Sequence, residues 1–347
     1  MQNIAIQRLH NQQLEQTDLH TPAEVVSWLG AVQAQEYGPA KWSLGLRLPP
    51  EVTDADVEQA FADGLFLRTH VMRPTWHFVT PADIGWLLDL TAPRVNQANA
   101  YMYRRLELDD ALFRRSNDAI ARALEGGKHL TRAELASALA EAGIAAEGMR
   151  LGYLVHRADL DAIVCSGPRR GKQFTYALLD ERAPQARRLE RDEALAELTG
   201  RYFTSHGPAT VDDFAWWSGL TKADVKAGLE MVAAQLVHEV IDGTSYWFPA
   251  SVPPAPESSQ QALLLPTYDE FVIGYTDRSA MFETGQQLRP REDIAFDSMI
   301  VIEGQVAGCW RRTFRKGRWL LNQRHCGRLA PGNKRLSRPR PSAMAGL

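Results

Sequence analysis

The chain is poor in the residues that organise metal-bound, disulfide-stapled or membrane-inserted folds. Of its 347 residues only three are cysteine, and Cys165, Cys309 and Cys326 have neither metal-ligand spacing nor a plausible disulfide framework. A reducing cytoplasm is the compartment this favours. The nine histidines show no His-Glu-x-x-His or similar spacing, so no metal and no other cofactor is expected. No Ser/His/Asp or Cys/His constellation is readable. The opening MQNIAIQRLHNQQ lacks a basic start followed by an apolar run, so no secretory signal is expected. No apolar run approaches the roughly 18 residues of a membrane span, and no membrane partner is expected.

Acid is missing from one place. Residues 311–347 carry eleven Lys/Arg and no Asp/Glu, which leaves 28 basic and 42 acidic residues elsewhere. A net charge of −3 alone argues against nucleic acid. A mildly acidic body can still carry a basic groove, because phosphate contacts need only a few well-placed cations. Composition therefore neither supports nor excludes DNA. Hydrophobic content of 45% and charged content of 23% are ordinary for a globular protein, and the length fits two to four modules.

Three segments share one grammar of capped helices followed by a two-stranded hairpin. In the clearest, SNDAIARAL reads as a helix and Thr131 with Glu134 opens a second through a capping box. RLGYLVHRADLDA is a third, and AIVCSG and KQFTYALL flank the turn PRRG. Helix–helix–helix–hairpin is the plan of a winged helix. From Arg191 to Pro249 the plan repeats, with Thr210–Asp213 and Thr221–Asp224 as caps and Asp242-Gly243 as a tight turn. The N-terminal segment is a looser version, with Thr53 and Asp56 capping a helix, LFLRTHV and TWHFVT around Arg73-Pro74, and a further helix from Thr80-Pro81. SVPPAPESSQQ reads as a linker, and the strands beyond it as a small β-rich module. The expected fold is α+β, with winged-helix units at 1–115, 116–185 and 186–250, a β-rich module at 260–312 and an atypical basic tail at 313–347.

Within this frame AVQAQEY places Gln33 and Gln35 two residues apart. On a helix such neighbours diverge by roughly 200°. On an extended backbone both amides share a face, and together they can orient a water molecule. The bland alternative is that both satisfy backbone groups at a helix exit. Geometry separates the two: a regular helix through Gln35 would exclude the shared target.

The strings AVQAQEYGPAKWSLGLR, LRTHVMRPTWHFVTPADIGWLL, RYFTSHGPATVDDFAWWSGL, LLPTYDEFVIGYTDR and IEGQVAGCW occur in the order found in one family. They resemble the winged-helix family that contains the AlkZ and YcaQ-like DNA glycosylases, over roughly Gln7 to Arg312. The resemblance implies tandem winged helices and a β-rich domain arranged as a C-shaped clamp. It also implies excision of bulky N7-alkylated purines from double-stranded DNA, with unhooking of interstrand crosslinks in some members, by a monofunctional, metal-independent enzyme working as a monomer. Gln33-Ala34-Gln35 matches the Gln–hydrophobic–Gln motif of the branch that includes the self-resistance enzymes of antibiotic producers, which makes both glutamines the catalytic candidates.

Arg68, Arg73 and His77 in or beside the first hairpin, and Arg169, Arg170 and Lys172 at the second wing, are the candidate DNA contacts. Hairpin hydrogen bonds and ordinary solvated wing charges are the alternatives. Glu36 reads as a solvated carboxylate, Trp216 and Trp217 as core or interface, and Asp269, Tyr275 and Arg278 as internally hydrogen-bonded. After Trp310 the chain departs from the family's closing strands and helix, leaving either a DNA-attracting tail or a divergent end with an incomplete β-module. The rival function is a non-catalytic winged-helix DNA-binding protein, which would have no use for the glutamine pair. It would need base-reading side chains that RLGYLVHRADLDA, with only Arg150 and Arg157, hardly offers.

Overall fold

The computed structural model describes residues 3–250, 262–282, 298–315 and 318–324. Its fold is α+β. Thr21, Thr53, Thr131, Thr210 and Thr221 each open a helix with a capping box, in which the threonine hydroxyl and an acid three residues on satisfy each other's backbone N–H groups. After α1 (Ile4–Asn11) come α2 (Pro22–Leu29), β1 (Val32–Gln33), α3 (Tyr37–Gly45), α4 (Asp54–Ala62) and the hairpin of β2 (Leu67–Val71) and β3 (Thr75–Val79). The long α5 (Ile84–Arg105) leads to α6 (Asp110–Leu124), β4 (Leu130–Thr131), α7 (Arg132–Glu141), α8 (Gly148–Leu160), β5 (Val164–Ser166), β6 (Thr175–Leu178) and the short α9 (Leu179–Arg182). Next are α10 (Arg191–His206), α11 (Val211–Ser218), α12 (Lys222–Val232) and the hairpin of β7 (Leu236–Ile241) and β8 (Thr244–Pro249). Asp242 and Gly243, at φ +49° and +78°, turn this last hairpin as their sequence suggested.

One pairing rule runs through all three helical segments. The short strand after the first helix adds to the second strand of the hairpin, giving sheet orders β1-β3-β2 and β4-β6-β5, and in the third segment a single bridge between Ala209 and Trp247. The C-terminal sheet combines β9 (Ala262–Leu265), β10 (Ser298–Ile302), β11 (Gln305–Arg315) and β12 (Arg318–Arg324) in the order β12-β11-β10-β9, with the single-turn α13 (Glu270–Ile273) between β9 and β10. Alternation divides its side chains. Leu263, Leu265, Met299 and Val301 enter the largest apolar core, which also takes in the first hairpin and α10–α12. Leu264, Ile300 and Trp310 pack on the opposite face with Trp42 of α3.

Several boundaries differ from expectation. The division at 115 falls inside α6, because Asp109 caps that helix by accepting from the Leu112 N–H and starts it six residues before Ser116. The helix expected from Thr80 starts at Ile84, since Thr80 donates its hydroxyl to Asp83 at 2.6 Å and forms a turn instead. The β-rich module does not stop at 312: β11 continues to Arg315 and β12 adds a further strand. The linker at 251–261 and the tail beyond Arg324 lie outside the described residues. Cys165 is free and buried, while Cys309 is disulfide-bonded, a departure from three unpaired thiols. No helix of the described residues is long and apolar enough to cross a membrane.

Candidate active site

Gly30, at φ +80°, ends α2 and turns the chain into β1, a conformation that costs glycine little. Val32 and Gln33 then pair with Phe78 and His77 of β3, and the Ala34 N–H donates to the Trp76 carbonyl at 2.7 Å. Glu36, at φ −109° and ψ 110°, is still extended, and α3 starts only at Tyr37. No helix passes through Gln35. The two amides nevertheless have unequal surroundings. Gln33 is 7% exposed and its Oε1 accepts from Arg73 Nη2 at 3.0 Å. Gln35 is exposed, and its Oε1 accepts from the Trp76 N–H at 3.4 Å.

Beneath Gln33 lies a buried carboxylate. Glu270 Oε1 accepts the Gln33 N–H at 2.7 Å, Oε2 accepts Trp217 Nε1–H at 2.8 Å, and His206 Nε2 lies 3.5 Å from Oε2. Burial alone would raise the Glu270 carboxyl, but His206 and these N–H donors outweigh it and hold the group below the usual carboxylate range. Arg73 covers the other side. Its guanidinium sits 5.2 Å from the centre of the Trp216 ring, and Trp216, 47% exposed, donates Nε1–H to the Ile273 carbonyl at 3.2 Å. Strand alternation puts Thr75 and His77 on the same sheet face as Gln33. Burial, with the Arg73 charge nearby, pushes His77 down to about 4, so its ring is neutral near pH 7. Its Nδ1 lies 3.0 Å from the Thr75 carbonyl, while His77 Nε2 and Thr75 Oγ1 are buried without a protein hydrogen-bond partner. The site thus offers a fixed amide, a cation, a buried anion and uncommitted polar atoms, which suits the orientation of a small polar molecule.

The remaining candidates scatter. Arg68 is 6% exposed, with Nε–H on the Ala34 carbonyl at 3.0 Å, and His77 is fully buried. Neither side chain stands out from the surface, and Arg68 fixes the residue between the two glutamines. Arg169 is half-buried, 3.4 Å from Glu58, and Arg170 binds Glu134 at 2.8 Å and the His129 carbonyl at 2.7 Å. Lys172 is exposed. Asp269, Tyr275 and Arg278 make the internal bonds expected of them, to Arg47 and Ser43, to the His206 carbonyl, and to the Val272 carbonyl respectively. Trp217 is core as expected, but Trp216 is surface. Among the described residues no three His, Cys, Asp or Glu side chains converge as metal ligands would.

Sequence reasoning missed Glu270 altogether. Its only signal was its place in Tyr-Asp-Glu-Phe, directly after Asp269, whose salt bridge with Arg47 seats that segment against the N-terminal helices.

Residues 26–335 match the model of the family described as DNA glycosylase AlkZ-like. A curated relative from Streptomyces sahachiroi, an interstrand DNA cross-link repair glycosylase, is 26% identical over 87% of this chain and 85% of its own. The solved structure of the Streptomyces sahachiroi DNA glycosylase AlkZ superposes with a TM-score of 0.74 at 21% identity, covering 96% of this chain and 92% of that one.

Proposed function

The chain belongs to the AlkZ-like DNA glycosylase family, and from that premise we propose that it hydrolyses the N-glycosidic bond of N7-alkylated purines in double-stranded DNA, bulky adducts and interstrand crosslinks included. In this reading the three helical segments are tandem winged helices that form a C-shaped clamp with the C-terminal sheet, and a single chain acts on DNA in the cytoplasm. The observation that carries the proposal is the extended backbone at Val32–Gln33, which seats the Gln33 amide on Arg73 and its N–H on the buried Glu270.

The chemistry asks little of the protein. An N7-alkylated purine is already cationic, so the C1′–N9 electron pair leaves with the base and neutralises it. The sugar becomes oxocarbenium-like, a water adds at C1′, and that water's proton passes to solvent. The reaction needs neither a strong base nor a Lewis acid, only a positioned water and electrostatic support. Gln33 and Gln35 hold the water. Arg73 fixes the first amide and Glu270 fixes its backbone, both as positioning residues. Trp216 offers an exposed ring beside the site to the DNA or the adduct.

The test is release of N7-methylguanine from duplex DNA, read as alkali-labile abasic sites, by the wild type and by the Gln33→Ala and Gln35→Ala variants. The expected result is activity in the wild type and a large loss in both variants. Undiminished release by both variants refutes the assignment of the pair. A folded wild type that binds DNA and leaves no abasic sites favours the binding-only alternative.

A further inference from the structure

On the sheet face opposite Gln33 lies a pocket of about 680 Å³, within the usual size range of small-molecule sites. Arg68 and Trp76 of the first hairpin form one wall, Lys172, Phe174 and Tyr176 of the second hairpin another, and Arg132 of α7 stands at its edge. Trp76 pairs across the hairpin with His70, whereas Gln33 pairs with His77, so alternation directs the two side chains to different faces. The pocket is therefore separate from the glutamine site.

Its floor is an unusual charge. Arg68 is 6% exposed, yet no carboxylate of the described residues lies within ion-pair distance of it. Its guanidinium is 4.1 Å from the ring centre of Trp76 and 4.5 Å from that of Phe174, and burial lowers it to about 10. A buried cation without a counter-ion is costly unless something else compensates it. Arg132 and Lys172, both exposed, add positive charge at the mouth. The nearest acid on α7, Glu134, is engaged by the Thr131 N–H at 2.7 Å and by Arg170 at 2.8 Å. Asp159 acts on Arg68 from beyond ion-pair distance and is itself engaged by Thr69 and His70, so aromatic walls with clustered cations and no paired acid match a flat ring that carries a phosphate.

We propose that this pocket holds one unpaired nucleotide, its base against the wall of Trp76, Phe174 and Tyr176 and its phosphate among Arg68, Arg132 and Lys172. The nucleotide is not the one being cut, because the glutamines act from the other face. Arg68 joins the two places, since its Nε–H holds the Ala34 carbonyl between Gln33 and Gln35. A strand seated in the pocket thus steadies the catalytic segment. The inference rests on the DNA reading for the source of the nucleotide and not for the pocket's chemistry.

Two measurements test it. Fluorescence anisotropy compares a labelled, fully paired duplex with the same duplex carrying a single-nucleotide bulge, and calorimetry titrates deoxyadenosine monophosphate. The wild type should prefer the bulge by roughly tenfold, the scale of one base stacked on aromatic rings. Phe174→Ala and Arg132→Ala should each bring that ratio toward one, with circular dichroism showing that the variants fold. A bulge preference lost in the variants assigns the nucleotide to the bound strand. Mononucleotide binding lost in the variants, without a bulge preference, assigns it to a free nucleotide. Neither binding in the wild type, or a preference indifferent to both substitutions, overturns the proposal. Neither assay uses base release, so loss of the glycosylase reading and loss of this one are told apart.

Discussion

Replacing Glu270 with glutamine changes one buried atom and tests the framework of the site. The carboxylate accepts two N–H groups, from Gln33 at 2.7 Å and Trp217 at 2.8 Å, at a position with no solvent exposure. An amide retains one acceptor oxygen and turns its NH₂ toward the other donor. One bond to a charged group is lost and one buried donor is left unpaired, together about 2–3 kcal/mol. With an unfolding entropy of about 2.1 cal/mol/K per residue, a cooperatively melting chain of 347 residues should lose about 3–4 °C in Tm. Differential scanning fluorimetry reads that shift. The Gln33 backbone also loses an anchor, and a displacement near 1 Å can cost on the order of 100-fold in rate. Single-turnover base release should therefore fall in Glu270→Gln while duplex affinity stays near wild type, the pattern of a positioning residue. An unchanged Tm, or a loss of affinity equal to the loss of rate, refutes the reasoning.

Asp269 faces Arg47 at 2.9 Å with both partners fully buried. Burial pushes its carboxyl up, but Arg47, the Ser43 hydroxyl and the Phe271 N–H outweigh this and leave it below its ordinary value. Its stabilising contribution is then complete above the unfolded carboxyl's pKa of about 3.9 and is lost as pH falls through the folded one. Asp269→Asn should cost about 3–5 kcal/mol near pH 7, with the gap to wild type narrowing below about pH 4 in urea titrations. Trp216→Ala, at an exposed ring, should change Tm by little and slow base release by about tenfold if the ring meets the DNA. Gly85→Ala would put a methyl carbon 2.7 Å from the Arg187 carbonyl oxygen and should cost about 1–3 kcal/mol, read as a lower Tm with the site chemistry intact.

What the chain disclosed in advance was local. The caps at Thr53, Thr131, Thr210 and Thr221 and the Asp242-Gly243 turn rest on residues three or fewer positions apart, and such interactions can be read along a string. The extended Gln33 segment falls outside that class, because it is held by pairing with Phe78 and His77 of β3. The misreadings arose where distant segments meet. Arg68 looks like a surface charge until Phe174, more than a hundred positions later, packs on its guanidinium. Trp216 and Trp217 are neighbours in sequence, but about 100° of helical rotation buries the second and leaves the first in solvent. Glu270 has no local reason to matter, and its role follows from Gln33, His206 and Trp217.

The bond between Gln33 and Glu270 spans 237 positions of chain. At roughly 5–20 residues per second, a ribosome that has made the glutamine takes about 12–47 seconds to deliver the carboxylate that seats it. Through that interval the nascent protein carries Gln33 and Gln35 on a segment whose anchor has not been made. A message broken or stalled before that point yields helical segments without an assembled centre. Synthesis itself therefore acts as a timer, and the Gln33 segment takes its final seat only once Glu270 has been delivered.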